Sequence, residues 1–152
     1  MAGLHFEEFH ADQAFDHPWS RTVTEMDNTV FSLLTMNPQP LHIDAHFAEG
    51  TEWGQRLFNS LYTLGFLAGM TVNDTVLGNT VAKLGMTDVN FTKQPVFHGD
   101  TLRARTRVAT VRDTKSRSVI RLVVFEHTCL NQRGEVVATC RRSDMMKRKP
   151  AA

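Results

Sequence analysis

The stretch RLFNSLYTLGFLAGMTVND, Arg56 to Asp74, decides the fold. It is the longest helix candidate in the chain, and it is apolar on nearly every face instead of along one stripe. Such a helix is stable in water only when other elements cover most of its sides. Gly65, Ala68 and Gly69 fall at near-helical spacing and let a covering element come close to the backbone. Its apolar core, LYTLGFLAGMTV, is too short to span a bilayer, so the cover must come from the rest of the chain.

The C-terminal half supplies it. In DTLRARTRVATVRD, Leu102, Ala104, Thr106 and Val108 alternate with Arg103, Arg105 and Arg107, the period of a half-buried strand. KLGMTDVNF, RSVIRLVVFEHTCLN and GEVVATCRRSDMM are also rich in β-branched residues, and NQRG between the last two reads as a hairpin turn. In that hairpin Leu130 is expected to face Glu135, which pairs Cys129 with Val136 and Cys140 with Phe125. The two cysteines are then not partners and read as free thiols. The N-terminal half reads as helix and loop. TVTEMDNTVFSLLT sets Thr24 ahead of Glu25 and Asp27, with Val30, Leu33 and Leu34 at helical spacing. Asp44 is placed to cap a short helix, AHFAEGT. Helices followed by long antiparallel strands around one apolar helix define an α+β domain. A chain of 152 residues accommodates one such domain, 1–152. The basic tail from about residue 145 is expected to fray.

Composition excludes several classes. A net charge of +1 argues against a nucleic-acid partner, as do arginines without an aromatic platform beside them. MAGLHFEEFH opens mixed and polar, unlike a leader segment, and two cysteines are too few for a disulfide scaffold, so a reducing cytoplasm is the expected compartment.

Three stretches resemble the MaoC-like hydratases and dehydratases, which have the hotdog fold. MNPQPLHIDAHFAEGTEWGQRLFNSL is similar to the family's Asp-x-Asn-Pro-Leu-His-x-Asp run and to its later Phe-Gly-x-x-Ile-Ala-His-Gly. VNFTKQPVFHGDTLRARTRV is similar to its strand, Pro-Val, Gly-Asp-Thr-Leu, strand, and FEHTCLNQRGEVVATC to its last hairpin. The Asn-x-x-Pro-Leu-His variation looks like the branch acting on mesaconyl or itaconyl units.

The resemblance implies a single hotdog domain in a homodimer, or a larger assembly, whose sheets join edge to edge. It implies reversible addition of water to an α,β-unsaturated acyl-CoA thioester, with the coenzyme A thioester as substrate and no further cofactor. His42 matches the family's catalytic histidine, a residue type that can take and return protons. Asn37 stands where the catalytic Asp is expected, and a carboxamide cannot take a proton as a carboxylate does. His42 is then the one strong acid–base, and Asn37 holds the water or the acyl group. Asn59-Ser60 stand where the family has His-Gly. The Ser60 N–H is the candidate donor to the thioester oxygen, with Asn59 and Gln39 beside the substrate. Lys115 and Arg117 are candidate contacts for coenzyme A phosphates, with Arg103, Arg105 and Arg107 competing.

Plainer readings stand beside these. Asn37 also suits a turn, Asn59 a helix end, Asp44 a cap, His98 a turn, and Lys115 and Arg117 solvated loop charges. His42 and His46 have metal-pair spacing but no third ligand, so no metal is expected. A thioesterase on the same fold, or a non-catalytic acyl-CoA-binding module suggested by Asn37, are the alternative functions.

Overall fold

The computed structural model describes residues 3–113 and 120–150. Five antiparallel strands form one sheet in the order β1-β3-β4-β5-β2: β1 Ala14–Thr22, β2 Thr80–Phe91, β3 Thr101–Asp113, β4 Ile120–Leu130 and β5 Val136–Lys147. Helices α1 Glu25–Leu34, α2 Pro40–Ile43 and α3 Ala45–Glu49 lead into α4 Ser60–Met70, which is succeeded by one turn, α5 Val72–Thr75. The central helix α4 packs on β1, β3, β4 and β5. Leu67, fully buried, meets Leu102, Ala104, Cys129 and Ala138 from the inner face of the sheet. Removing a leucine of that size from water is worth about 2 kcal/mol, which makes this contact a principal anchor of the helix.

Several expectations are corrected. The helix begins at Ser60, not Arg56, because Asn59 caps it and the preceding chain is held extended: Leu57 bridges Phe97, and the Phe58 N–H donates to the Val96 carbonyl at 2.9 Å. It also stops at Met70, with α5 separate. The N-terminal half contains a strand: β1 runs along the sheet edge, and its register slips between Asp16 and Ser20, where Pro18 sits. A proline tolerated only at an edge or bulge hides such a strand from period-2 reading. In the last hairpin Leu130 faces Val136, Cys129 faces Ala138 and Cys140 faces His127, because a bulge comes after Cys129. Both cysteines are buried free thiols, and burial pushes the Cys129 thiol up to about 12, far from a reactive thiolate. The tail expected to fray is strand as far as Lys147, with Met146 fully buried.

Helix α1 is oriented against its apolar pattern. Met26, Val30, Leu33 and Leu34 are exposed, while Asn28 and Ser32 are fully buried. The polar face of this helix therefore carries its inward contacts.

Candidate active site

The site grows from the end of α1. The capping box of Thr24 and Asp27 starts that helix. A Schellman motif ends it: the Met36 N–H donates to the Leu33 carbonyl and the Asn37 N–H to the Ser32 carbonyl. Met36 occupies the left-handed position that glycine usually takes, at φ 55°, a strained choice for a side-chain-bearing residue. The Asn37 Oδ1 then accepts from the Gln39 N–H at 3.1 Å. Gln39 is extended, as the residue before a proline prefers, and Pro40 takes the first position of α2, where its missing N–H costs nothing. The prolines thus fix one short helical turn whose third residue is His42. Asp44 closes that turn and caps α3, accepting from the Phe47 N–H.

The His42 ring is tied on one side. Its Nδ1 lies 3.0 Å from the Leu57 carbonyl. Only an Nδ1–H can make that contact, so the neutral ring has its lone pair on Nε2, which none of the described hydrogen bonds uses. A half-buried imidazole of this tautomer can take a proton at Nε2 and return it.

Leu57 lies three residues before Ser60, so the imidazole is anchored beside the tip of α4. Asn59 is buried; its Oδ1 accepts from the Leu61 N–H and its Nδ2 donates to Ser32 Oγ. That is a cap and an internal bond, so the side chain expected to contact substrate is turned into the fold. The Ser60 N–H, at the first helical position, enters none of the described hydrogen bonds and sits at the positive end of the helix. A cavity of about 220 Å³ opens there, lined by Leu57, Phe58, Ser60 and Thr63, by Phe91 at the end of β2 and by Lys93 just after it. His42, Asn37 and Gln39 do not line it; the His42 ring is linked to it by its bond to the carbonyl of Leu57, one of the lining residues.

Sequence reading missed Asn28 and understated His98. The buried Asn28 amide touches the His42 carbonyl, the Leu57 carbonyl, the Asn59 N–H and His98 Nε2. His98 does lie in a turn, as expected, but also packs edge-on against Phe58. Burial, helped by Arg56, holds its pKa below the usual histidine range, so it is neutral near pH 7. Lys115 and Arg117 lie outside the described residues. Arg105 is paired with Asp16, and Arg107 with Asp12 and Glu126. Among the described residues no cluster of His, Cys, Asp or Glu could hold a metal ion. No helix among them is long and apolar enough to cross a membrane.

An antiparallel sheet packed on a long apolar helix is the hotdog architecture. The chain belongs to the MaoC-like dehydratase family: residues 7–127 match the family model described as a MaoC like domain. It is 30% identical over 99% of its length to a mesaconyl-CoA hydratase of Cereibacter sphaeroides, covering 43% of that protein. It is 28% identical to an (R)-specific enoyl-CoA hydratase of Rhodospirillum rubrum, covering 72% of this chain and 71% of that one. A conserved hypothetical protein of Mycobacterium tuberculosis with a double hotdog fold superposes with a TM-score of 0.85 at 20% identity, over 99% of this chain and 46% of that one. The chain spans less than half the length of the mesaconyl-CoA hydratase and of a similar β-methylmalyl-CoA dehydratase from Chloroflexus aurantiacus.

Proposed function

We propose that the protein is a hydro-lyase that reversibly adds water to a short or branched α,β-unsaturated acyl-CoA. The observation that carries this reading is His42, its Nδ1–H committed to the carbonyl of Leu57, three residues before α4, and its Nε2 used by none of the described hydrogen bonds. His42 Nε2 removes a proton from water as the water oxygen bonds to the β-carbon. Negative charge moves to the thioester oxygen, where the Ser60 N–H and the end of α4 stabilise it. The proton on His42 is then delivered to the α-carbon, and the ring returns to its starting state.

Asn37 has its Oδ1 engaged by the Gln39 N–H, which leaves its NH2 to hold the water or the acyl group. Gln39, exposed at the cap of α2 two residues on, is the candidate to contact the substrate beside it. The names of the matched hydratases favour an acyl-CoA, and the mesaconyl-CoA hydratase favours a branched, dicarboxylic acyl group. The cavity of about 220 Å³ favours a short chain, and Lys93 on its wall suits an anionic one. Lys115 and Arg117 remain candidates for the coenzyme A phosphates.

The working form is a homodimer, or a pair of hotdog units, joined at the edge strand β2. That strand leaves Val81, Leu84, Val89 and Phe91 exposed, and α4 leaves Leu61 exposed beside it. Incubating the protein with a panel of enoyl-CoAs, including mesaconyl-CoA and crotonyl-CoA, and following loss of the conjugated thioester absorbance tests the reading. Release of free coenzyme A instead would indicate a thioesterase. Tight binding with no spectral change would indicate a non-catalytic module, the reading Asn37 favours.

A further inference from the structure

One buried carboxamide holds both halves of the site. Asn28 is fully buried on the inner face of α1. Its Nδ2 lies 2.9 Å from the His42 carbonyl, 3.0 Å from the Leu57 carbonyl and 3.0 Å from His98 Nε2. Its Oδ1 accepts the Asn59 N–H at 2.9 Å. The partners fix which way the amide points. Turning it over would set Oδ1 against two carbonyl oxygens and the NH2 against an N–H. With the NH2 on the carbonyl side, two hydrogens serve three acceptors, so one is shared. His98 must then offer a lone pair at Nε2 and carry its proton on Nδ1.

The consequence is geometric. The Leu57 carbonyl that Asn28 grips is the same oxygen that receives the His42 Nδ1–H. Asn28 also grips the backbone carbonyl of His42 itself, so it holds both the residue that carries the ring and the oxygen that receives its Nδ1–H. Through Oδ1 it fixes the backbone of Asn59, the cap whose next residue presents the Ser60 N–H. The proton-transfer group and the helix tip are thereby held to one rigid point. A backbone bond runs beside it, the Leu57 N–H donating to the Leu41 carbonyl at 3.0 Å, but among the described residues Asn28 is the side chain that bonds both His42 and Asn59.

We propose that Asn28 is a positioning residue that sets the distance between the His42 imidazole and the N-terminus of α4. This rests on the hydratase reading for its effect on rate, but the positioning itself does not require it. Asn28→Asp keeps the size and one oxygen acceptor but sets a second oxygen against the Leu57 and His42 carbonyls, pushing them away. Displacing an acid–base group by about 1 Å can cost about 100-fold in rate, while substrate binding at a distance from the clamp is retained.

The test uses 15N NMR of the histidine rings together with steady-state kinetics on an enoyl-CoA. In the wild type both His42 and His98 should appear as the Nδ1–H tautomer. In the Asn28→Asp variant His42 should become a mixture of tautomers, with kcat lowered about 100-fold and KM within about threefold. The wild-type spectrum decides the amide orientation even if no variant folds. His98 protonated on Nε2 in the wild type overturns the proposal. So does an Asn28→Asp variant with His42 and kcat unaltered. A wild type that turns over no enoyl-CoA would sink the hydratase reading alone; the spectra would still decide the role of Asn28.

Discussion

Replacing Ser60 by proline isolates one backbone hydrogen. Proline is preferred at the first position of a helix, and Ser60 occupies that position in α4. The residue before a proline must be extended, and Asn59 already is, at φ −66° and ψ 120°. The cap is untouched, because Asn59 Oδ1 accepts from Leu61, not from Ser60. The change therefore removes the N–H proposed to face the thioester oxygen and little else. Stability should move by no more than about 0.5 kcal/mol. Loss of one oxyanion donor costs about 3–4 kcal/mol in the transition state, or about 10²–10³ in kcat. Ser60→Ala keeps the N–H and is the control for the lost hydroxyl at the cavity wall. The assay is urea denaturation of both variants, then enoyl-CoA hydration kinetics. A folded Ser60→Pro protein with kcat within about threefold of Ser60→Ala would falsify the assignment.

Other expectations concern the core. His127 is pushed down to about 2 from 6.5 by burial, with Arg142 adding to the effect. The unfolded chain then binds a proton below about pH 6.5 that the folded protein refuses, so stability falls as pH drops through that window, by at most about 1.4 kcal/mol per pH unit. His127→Gln should flatten this slope relative to wild type in urea titrations between about pH 7 and about pH 5; parallel slopes would contradict it. Leu67→Ala should cost about 3 kcal/mol in the same assay with an unchanged m-value, and a loss under about 1 kcal/mol would mean that α4 is not anchored there. Arg142 and Asp144 form a buried ion pair at 2.8 Å. Asp144→Leu alone should cost about 3–5 kcal/mol, and adding Arg142→Met should recover most of it. Additive losses in the double variant would show that the two charges are not coupled.

The local signals are legible where one segment fixes its own shape. Thr24 before Asp27, Asp44 before AHFAE and the alternation of Leu102 to Val108 each specify an element through neighbours a few residues away. The N-terminus of α4 is not, because the segment from Arg56 to Phe58 is as helix-compatible as Ser60 to Met70; the bridge to Phe97 that keeps Leu57 extended comes from a distant part of the chain. β1 is masked by Pro18 and by alternation broken at the bulge. The histidine turn is readable from its prolines and from family resemblance. Asn28 is not, since on a helix bearing Val30, Leu33 and Leu34 an asparagine reads as surface. Only the approach of α2, the Leu57 segment and the His98 turn to one side of α1 makes that polar face the inner one.

The most direct measurement is the hydration rate of a short enoyl-CoA by wild type and His42→Ala, with acyl-CoA affinity determined in parallel. If His42 is the acid–base, kcat falls by about 10²–10⁴ while affinity stays within about threefold. Equal rates in the two proteins would contradict it.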